Sequence, residues 1–336
     1  MTKPDEKIEY GEVLGLTGRY VKKLLLNASP DFFHMTEHLS NTQGKYIRAS
    51  LLAASASDAG GFVSPDVIKA AAAVELLHAA TLVHDDVIDG AELRRSKETI
   101  QKKFGRRQAV ICGDYLLCLS LSAISGLYPA YGQERYLSLH RVFVKGLEKI
   151  CHGEFCELIN NRNLDMGFYD YLRVISGKTA GLFGIAALCG SVIGGGDDRE
   201  MRLLSRFGQY QGMLFQIVDD CKDYELTEQA ALKSVRTDLC EGVVTLPLIL
   251  AVKKDPGIKP AAERAMSSGG AAEISALIGR IRGLGALDGT YGIARRYYNK
   301  AARIIDKLDN EFKKGRLADI LNATVSALPG FYGADS

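Results

Sequence analysis

The sequence predicts an all-α helical bundle, and three observations carry that expectation. No Asn-Gly or Asp-Gly turn joins two alternating β-branched runs. Apolar residues recur at helical spacing, punctuated by breaks such as Pro129, Gly194-Gly195-Gly196 and Asp255-Pro256-Gly257. Of 336 residues, 47% are hydrophobic and 24% charged, an ordinary globular balance that excludes a disordered chain. A chain of this length can bury a core without disulfides. No Pro/Ser-rich linker or composition shift divides it, so a single domain over 1–336 is expected.

Helices are expected near 6–27, 43–58, 65–89, 106–127, 132–160, 167–190, 199–224, 242–253, 259–267, 271–283 and 288–326. The segment 43–58 opens on Gly44-Lys45-Tyr46-Ile47-Arg48, whose Lys45 and Arg48 stand at i,i+3 and would share a helical face. The segment 65–89 has Ser64 as N-cap, Pro65 at the first helical position and Gly90 just past its end. Between Val67 and Val83 its only clearly polar residues are Lys69, Glu75, His78 and Thr81, so it reads as a central helix apolar nearly all round. The most apolar run, Gly181 to Gly196, is shorter than the ~20 residues a membrane span requires. The N-terminus, MTKPDEKIEYGEV, is polar and unlike a signal peptide. The seven cysteines form no CxxC pair and have no zinc spacing with histidine; most read as small buried hydrophobes of a reducing compartment. A soluble, cytoplasmic protein is expected. The net charge of +2 offers no reason for a nucleic-acid partner.

The chemistry concentrates at two helix ends. In LVHDDVIDG, Asp85, Asp86 and Asp89 crowd the C-terminal end of segment 65–89, with Asp85 and Asp89 at i,i+4. A helix C-terminus is already negative and like charges at i,i+4 repel, so a divalent cation is the natural offset. Carboxylates suit Mg²⁺, which keeps waters and bridges to substrate phosphates. The pattern recurs in GMLFQIVDDCKDYE, where Asp219, Asp220 and Asp223 close another apolar helix. Chance gives one such DDxxD pattern in roughly one chain in ten, and two in fewer than about one in a hundred. Basic residues accompany them: Lys45 and Arg48, Arg94 and Arg95, Lys178 in SGKTAGLFG and Lys233 in ALKSVRTDL. Metal-holding carboxylates beside cations able to grip phosphate imply a diphosphate substrate, and the surplus of cations implies two such sites. There is no P-loop, no dinucleotide fingerprint and no nucleophile elbow.

These blocks resemble the trans-isoprenyl diphosphate synthase (polyprenyl synthetase) family. GKYIR, ELLHAATLVHDDVIDGAELRR, FGRRQAVICGDYLL, GKTAGLFG, FQIVDDCKDY and TDLCEGVVTLP stand in the family's order from about Gly44 to Leu250. The resemblance implies an isoprenoid-synthase-type bundle around a deep central cavity, and head-to-tail condensation of an allylic diphosphate with successive isopentenyl diphosphates. Asp85, Asp89, Asp219 and Asp223 would bind Mg²⁺, three ions per active site with Mn²⁺ able to substitute, supported by Asp86 and Asp220. Arg94, Lys178 and Lys233 would hold the allylic diphosphate. Lys45, Arg48, His78 and Arg95 would hold isopentenyl diphosphate. Thr179 and Gln216 would stabilise developing positive charge. The family's usual Lys is replaced by Val243. A homodimer is implied, with peripheral membrane contact for product release.

ELLHAATLVHDD looks most like the long-chain members such as octaprenyl diphosphate synthase. Ala80 and Thr81, five and four residues before Asp85, are small. One helical turn rises ~5.4 Å, close to one isoprene unit, so these positions would leave a channel open for the growing tail. Cys118, Ser122 and Ala123 would line its far wall. A product of C30–C50, with C40 the single best length, follows, primed by farnesyl or geranylgeranyl diphosphate and destined for quinone side chains. The alternatives are a shorter-chain farnesyl or geranylgeranyl diphosphate synthase and a subunit of a heteromeric synthase.

Overall fold

Helices make nearly all of the regular structure. The computed structural model describes residues 7–41, 44–95, 97–225, 235, 238–326, 328 and 331. In chain order the helices are α1 (Tyr10–Leu26), α2 (Phe33–Ser40), α3 (Ile47–Ala56), α4 (Asp66–Asp89), α5 (Ile100–Phe104), α6 (Arg106–Ser125), α7 (Tyr128–Ile159) and α8 (Phe168–Lys178). They continue as α9 (Ala180–Ile193), α10 (Asp198–Glu225), α11 (Leu246–Lys254), α12 (Lys259–Ser268), α13 (Ala271–Gly283), α14 (Ala286–Ile305) and α15 (Glu311–Val325). Among the described residues the strands form two short antiparallel ladders. In one, β1 (Ile8–Glu9) sets Ile8 opposite Val63 of β2 (Phe62–Val63). In the other, β3 (Leu93–Arg94) sets Leu93 opposite Glu98 of β4 (Lys97–Glu98).

Several boundaries differ from the sequence expectation for local reasons. The helix expected from 43 starts at Ile47, because Tyr46 adopts the left-handed conformation at φ 50°. The segment 167–190 divides at Thr179 into α8 and α9, which are bent by 44°. The segment 288–326 stops at Ile305 and restarts after Asn310, whose side-chain oxygen accepts from the Lys313 N–H at 3.0 Å, an N-cap bond. The short helix α5 is capped in the same way, Thr99 Oγ1 accepting from Lys102 N at 3.3 Å. The cap of α4 lies one residue later than expected, at Pro65, while Gly90 closes the helix at φ 68° and donates to the Asp86 carbonyl.

The residues gather into two compact units. The first comprises Met1–Lys145, Ile185–Ser205 and Leu308–Leu317. Its centre is α4, buried on most sides, as its apolar circumference predicts. Leu76, Ala80 and Val83 of α4 pack with Ala109, Cys112 and Leu116 of α6. Each fully buried Leu or Val contributes about 1.5–3 kcal/mol relative to exposure. Ser120 Oγ donates to the Ala73 carbonyl at 2.7 Å across the same contact. By length and composition α4 and α6 could each cross a membrane, contrary to the expectation that no run is long enough; in α4, 61% of the apolar stretch is buried inside the protein, in α6 33%.

The second unit comprises Gly146–Gly184, Arg206–Lys307 and Ala318–Ser336. Phe183 stacks obliquely on Phe215 of α10, ring centroids 5.4 Å apart. Gln211 donates to Thr324 Oγ1 at 2.6 Å, and Arg282 of α13 donates to the Tyr224 carbonyl at the end of α10 through Nε at 2.8 Å. A guanidinium there offsets the negative pole of the helix that ends in Asp219, Asp220 and Asp223.

Candidate active site

In the first unit the end of α4 sorts its three aspartates. Asp85 is half-buried and Asp89 exposed, on one face at i,i+4, while Asp86 is turned inward and buried. Asp86 accepts from Arg94 Nε at 2.7 Å, and Gln101 Nε2 donates to its carbonyl at 2.5 Å. Burial pushes the Asp86 carboxyl above its ordinary value, and the Arg94 guanidinium opposes that rise. The Leu93–Glu98 ladder sets Arg94 next to this end, while Arg95, in the left-handed region at φ 50°, is exposed.

Deeper along α4, Arg48 faces Glu75. Burial lowers the guanidinium to about 10, opposed by the charge of Glu75 and assisted by Arg95. Glu75 itself is raised by burial, against the pull of Arg48 and a hydrogen bond from Ala49 N at 3.1 Å. His78 is held well below its ordinary value by burial and then by Arg48, Arg95 and Arg94, so it is neutral at physiological pH. The structure thus brings Arg48, His78, Arg94 and Arg95 into one cationic neighbourhood. Lys45 is a correction: it lies exposed on the segment before α3, so it and Arg48 do not share a helical face.

In the second unit Lys178, Thr179, Gln216 and Asp220 line one pocket, with about 540 Å³ of empty space, part of it open solvent. Lys178 Nζ is ion-paired with Glu154 at 3.0 Å and with Glu157. Thr179 Oγ1 donates to Gln216 Oε1 at 2.7 Å, and Gln216 Nε2 donates to Asp220 Oδ1 at 3.0 Å. Asp220 Oδ2 accepts from the Tyr171 hydroxyl at 2.8 Å and from Leu246 N at 3.1 Å. Burial raises the Asp220 carboxyl to about 7 despite these donors. Asp219 is exposed and Asp223 half-buried, at i,i+4 on the same helix. Burial, then Asp223, Asp220, Glu241 and Asp219, push Asp238 well above the carboxylate range. Val243 borders the same pocket, and Lys233 lies outside the described residues.

The arrangement fits a divalent metal. In both motifs the middle carboxylate is taken by protein donors, and the i,i+4 pair stays accessible at a negative helix end. Among the described residues no three His, Cys, Asp or Glu side chains converge into a ready ligand group. The accessible carboxylate pair of each motif suits a hard ion which takes one or two carboxylates and completes its shell with water and phosphate oxygens.

Sequence reasoning missed Glu75, Glu154, Glu157, Tyr171 and Asp238. Glu154 and Glu157 stand at i,i+3 in CHGEFCELI, an acidic pair at helical spacing that can grip one cation between them, as it does Lys178. Glu75 stands one turn before His78 in an otherwise apolar stretch. The expected chain-length positions are placed as follows. Ala80 is 2% exposed within the α4–α6 contact, and Thr81 is half-buried, its hydroxyl donating to the His78 carbonyl at 2.9 Å. Cys118 and Ser122 lie on the exposed side of α6, not against α4, because the buried face of α6 runs through Cys112, Leu116 and Ser120.

A model of the polyprenyl synthetase family matches residues 30–277. The chain belongs to that family. Component 2 of heptaprenyl diphosphate synthase from Geobacillus stearothermophilus is 35% identical over 283 residues, 84% of this chain and 86% of that protein. Octaprenyl diphosphate synthase of Haemophilus influenzae is 31% identical over 278 residues, 82% of each chain. The crystal structure of a polyprenyl synthase from Caulobacter crescentus, complexed with calcium and isoprenyl diphosphate, superposes with a TM-score of 0.82 at 27% identity, covering 94% of this chain and 95% of that one. The chain is therefore a trans-prenyltransferase of isoprenoid biosynthesis with the all-α isoprenoid synthase fold.

Proposed function

We propose that this prenyltransferase condenses farnesyl or geranylgeranyl diphosphate with successive isopentenyl diphosphates into a long all-trans polyprenyl diphosphate, C30–C50 with C40 the best single length, for quinone side chains. The observation that carries the chemistry is the pocket where Lys178, Thr179 and Gln216 meet: a cation for phosphate beside two neutral side-chain oxygens that suit a developing allylic cation. Long-chain relatives support the product length.

In this reading Arg94 and Lys178, now paired with Asp86 and with Glu154 and Glu157, turn to the allylic diphosphate oxygens. Arg48, Arg95, Lys45 and neutral His78 hold isopentenyl diphosphate. The Thr179 and Gln216 oxygens face the carbon that becomes cationic as the C–O bond ionises. The isopentenyl double bond attacks that carbon, and the departed diphosphate takes the proton released. Asp85, Asp89, Asp219 and Asp223 are the residues that would hold Mg²⁺, which when bound neutralises charge growing on the leaving group. The calcium-bound relative supports a divalent ion.

The exposed apolar face of α6, where Ile111 is 54% exposed, and of α7, where Phe155 is 61% exposed, supports assembly as a homodimer. The second reading, a subunit of a heteromeric synthase, is favoured by the relative named as a component. Retention of all six aspartates favours catalysis by the chain itself. A cytoplasmic enzyme that touches the membrane surface to release its product completes the proposal. Incubating the chain alone with farnesyl diphosphate, labelled isopentenyl diphosphate and Mg²⁺, and sizing the dephosphorylated products, tests it. Turnover to C30 or longer is expected; no turnover without an added partner protein supports the heteromeric reading.

A further inference from the structure

Tyr171 of α8 reaches the aspartate cluster on α10 from 49 positions away, its hydroxyl donating to the buried Asp220 carboxylate. With Asp220 ionised, the direction of each bond in the chain that follows is forced by chemistry. Leu246 N can only donate, and so can Gln216 Nε2. Both point at Asp220, 3.1 Å and 3.0 Å away, and the Tyr171 hydroxyl adds a third donor at 2.8 Å. With its NH₂ group committed to Asp220, the Gln216 amide must present its oxygen to Thr179. An amide oxygen only accepts, so the Thr179 hydroxyl must give it its single proton, at 2.7 Å. Thr179 is then left with lone pairs and no proton to offer. If the amide were reversed, its NH₂ would occupy Thr179's lone pairs and the threonine proton would point away from Gln216. The polarity of the Thr179 oxygen thus depends on the donors that hold Asp220, among them Tyr171 on the same pocket wall.

We propose that Tyr171 is a positioning residue for the condensation: by holding Asp220 it locks the Gln216 amide in the one orientation that makes Thr179 an acceptor-only oxygen beside the developing allylic cation. The inference rests on the reading that this pocket receives the allylic diphosphate. Tyr171 is buried, so removal of the hydroxyl alone is the clean perturbation.

The test is a double-mutant cycle on the full chain, with Tyr171→Phe, Thr179→Val and the double variant assayed for a single condensation at saturating substrates. Tyr171→Phe is expected to lower kcat about tenfold, the loss of one hydrogen bond to a charged group, with both KM values within twofold. On the Thr179→Val background the same substitution is expected to cost less than twofold, because the oxygen it orients is gone. Since Tyr171→Phe could fold poorly, 3-fluorotyrosine at position 171, which keeps the bond and changes only the phenol's donor strength, is the second probe. It should shift kcat and leave KM unchanged, on the wild-type background only. Equal kcat losses on both backgrounds, a change confined to KM, or no effect of either probe would overturn the inference. A wild-type chain that carries out no condensation would instead sink the reading on which it rests.

Discussion

Replacing Gly153 by alanine should cripple the enzyme although the same change is normally benign. In a helix interior, Gly to Ala is expected to stabilise by about 0.5–1 kcal/mol. At Gly153 of α7 an added Cβ would sit 2.1 Å from Lys178 N and 2.7 Å from Gly177 Cα, and a Cβ on Gly177 would sit 2.6 Å from Gly153 Cα. Ordinary contact begins near 3.4 Å, so α7 and the end of α8 must separate by 1.3 Å, the difference between 3.4 and 2.1. Both sides of the clash are backbone, so no rotamer change can absorb it. Overpacking of this kind costs about 1–3 kcal/mol, which cancels and reverses the propensity gain. Lys178 and Thr179 move with the backbone they belong to. A displacement of ~1 Å at reacting groups can cost about a hundredfold in rate. The expectation for Gly153→Ala is therefore a lower melting temperature and a roughly hundredfold loss of kcat for the first condensation. The matched control is Gly279→Ala in α13, where nothing lies within 4 Å of the added carbon. That variant should gain about 0.4–1 kcal/mol and keep its activity. Thermal melts and single-condensation kinetics on both variants decide the matter. If Gly153→Ala is as stable and as active as Gly279→Ala, the close crossing of α7 and α8 is not what places Lys178 and Thr179.

Activity should require Mg²⁺ or Mn²⁺, and Asp85→Ala or Asp219→Ala should lower turnover by orders of magnitude; full turnover in EDTA would show that the carboxylate pairs hold no metal. Arg94→Ala should mainly impair use of the allylic substrate, and Arg95→Ala or Lys45→Ala use of isopentenyl diphosphate, each by about ten- to a hundredfold, with the reverse kinetic pattern meaning that the two sites are exchanged. Val243→Lys should lower the allylic KM or raise turnover, and a variant no better than the parent means that another cation already serves that place. Ala80→Phe should shorten the product to C15–C20 by chromatography; because Ala80 packs against α6, it should also cost about 1–3 kcal/mol in stability, and an unchanged product length places the tail elsewhere.

The helical architecture was legible because helix formation answers to patterns a few residues long. The apolar circumference of α4, its Gly90 terminator and both i,i+4 aspartate pairs are written within one or two turns of chain, and the structure places them as such. Where a boundary was misplaced, a single residue overrode the pattern: Tyr46 in the left-handed region, Thr179 at a bend, Asn310 as a new cap. The apolar Ala80 suggested a channel, whereas packing put it against α6, because periodicity marks a residue as inward-facing without naming what it meets.

What the sequence determined by itself is the chemistry on offer: two carboxylate clusters at helix ends, a set of cations, and a helical frame, all local in the chain. Tertiary structure decided how those groups are used. It buried Asp86 against Arg94 and Asp220 against Tyr171, while leaving Asp85, Asp89, Asp219 and Asp223 at least partly accessible. It gave Lys178 to Glu154 and Glu157, and it turned Glu75 and His78 toward Arg48. The physical reason is range. Backbone hydrogen bonding and side-chain periodicity act over three or four residues, so their outcome can be read along the chain. Burial, charge pairing and the close approach of Gly153 to Gly177 join residues tens of positions apart, and only packing determines which of them meet.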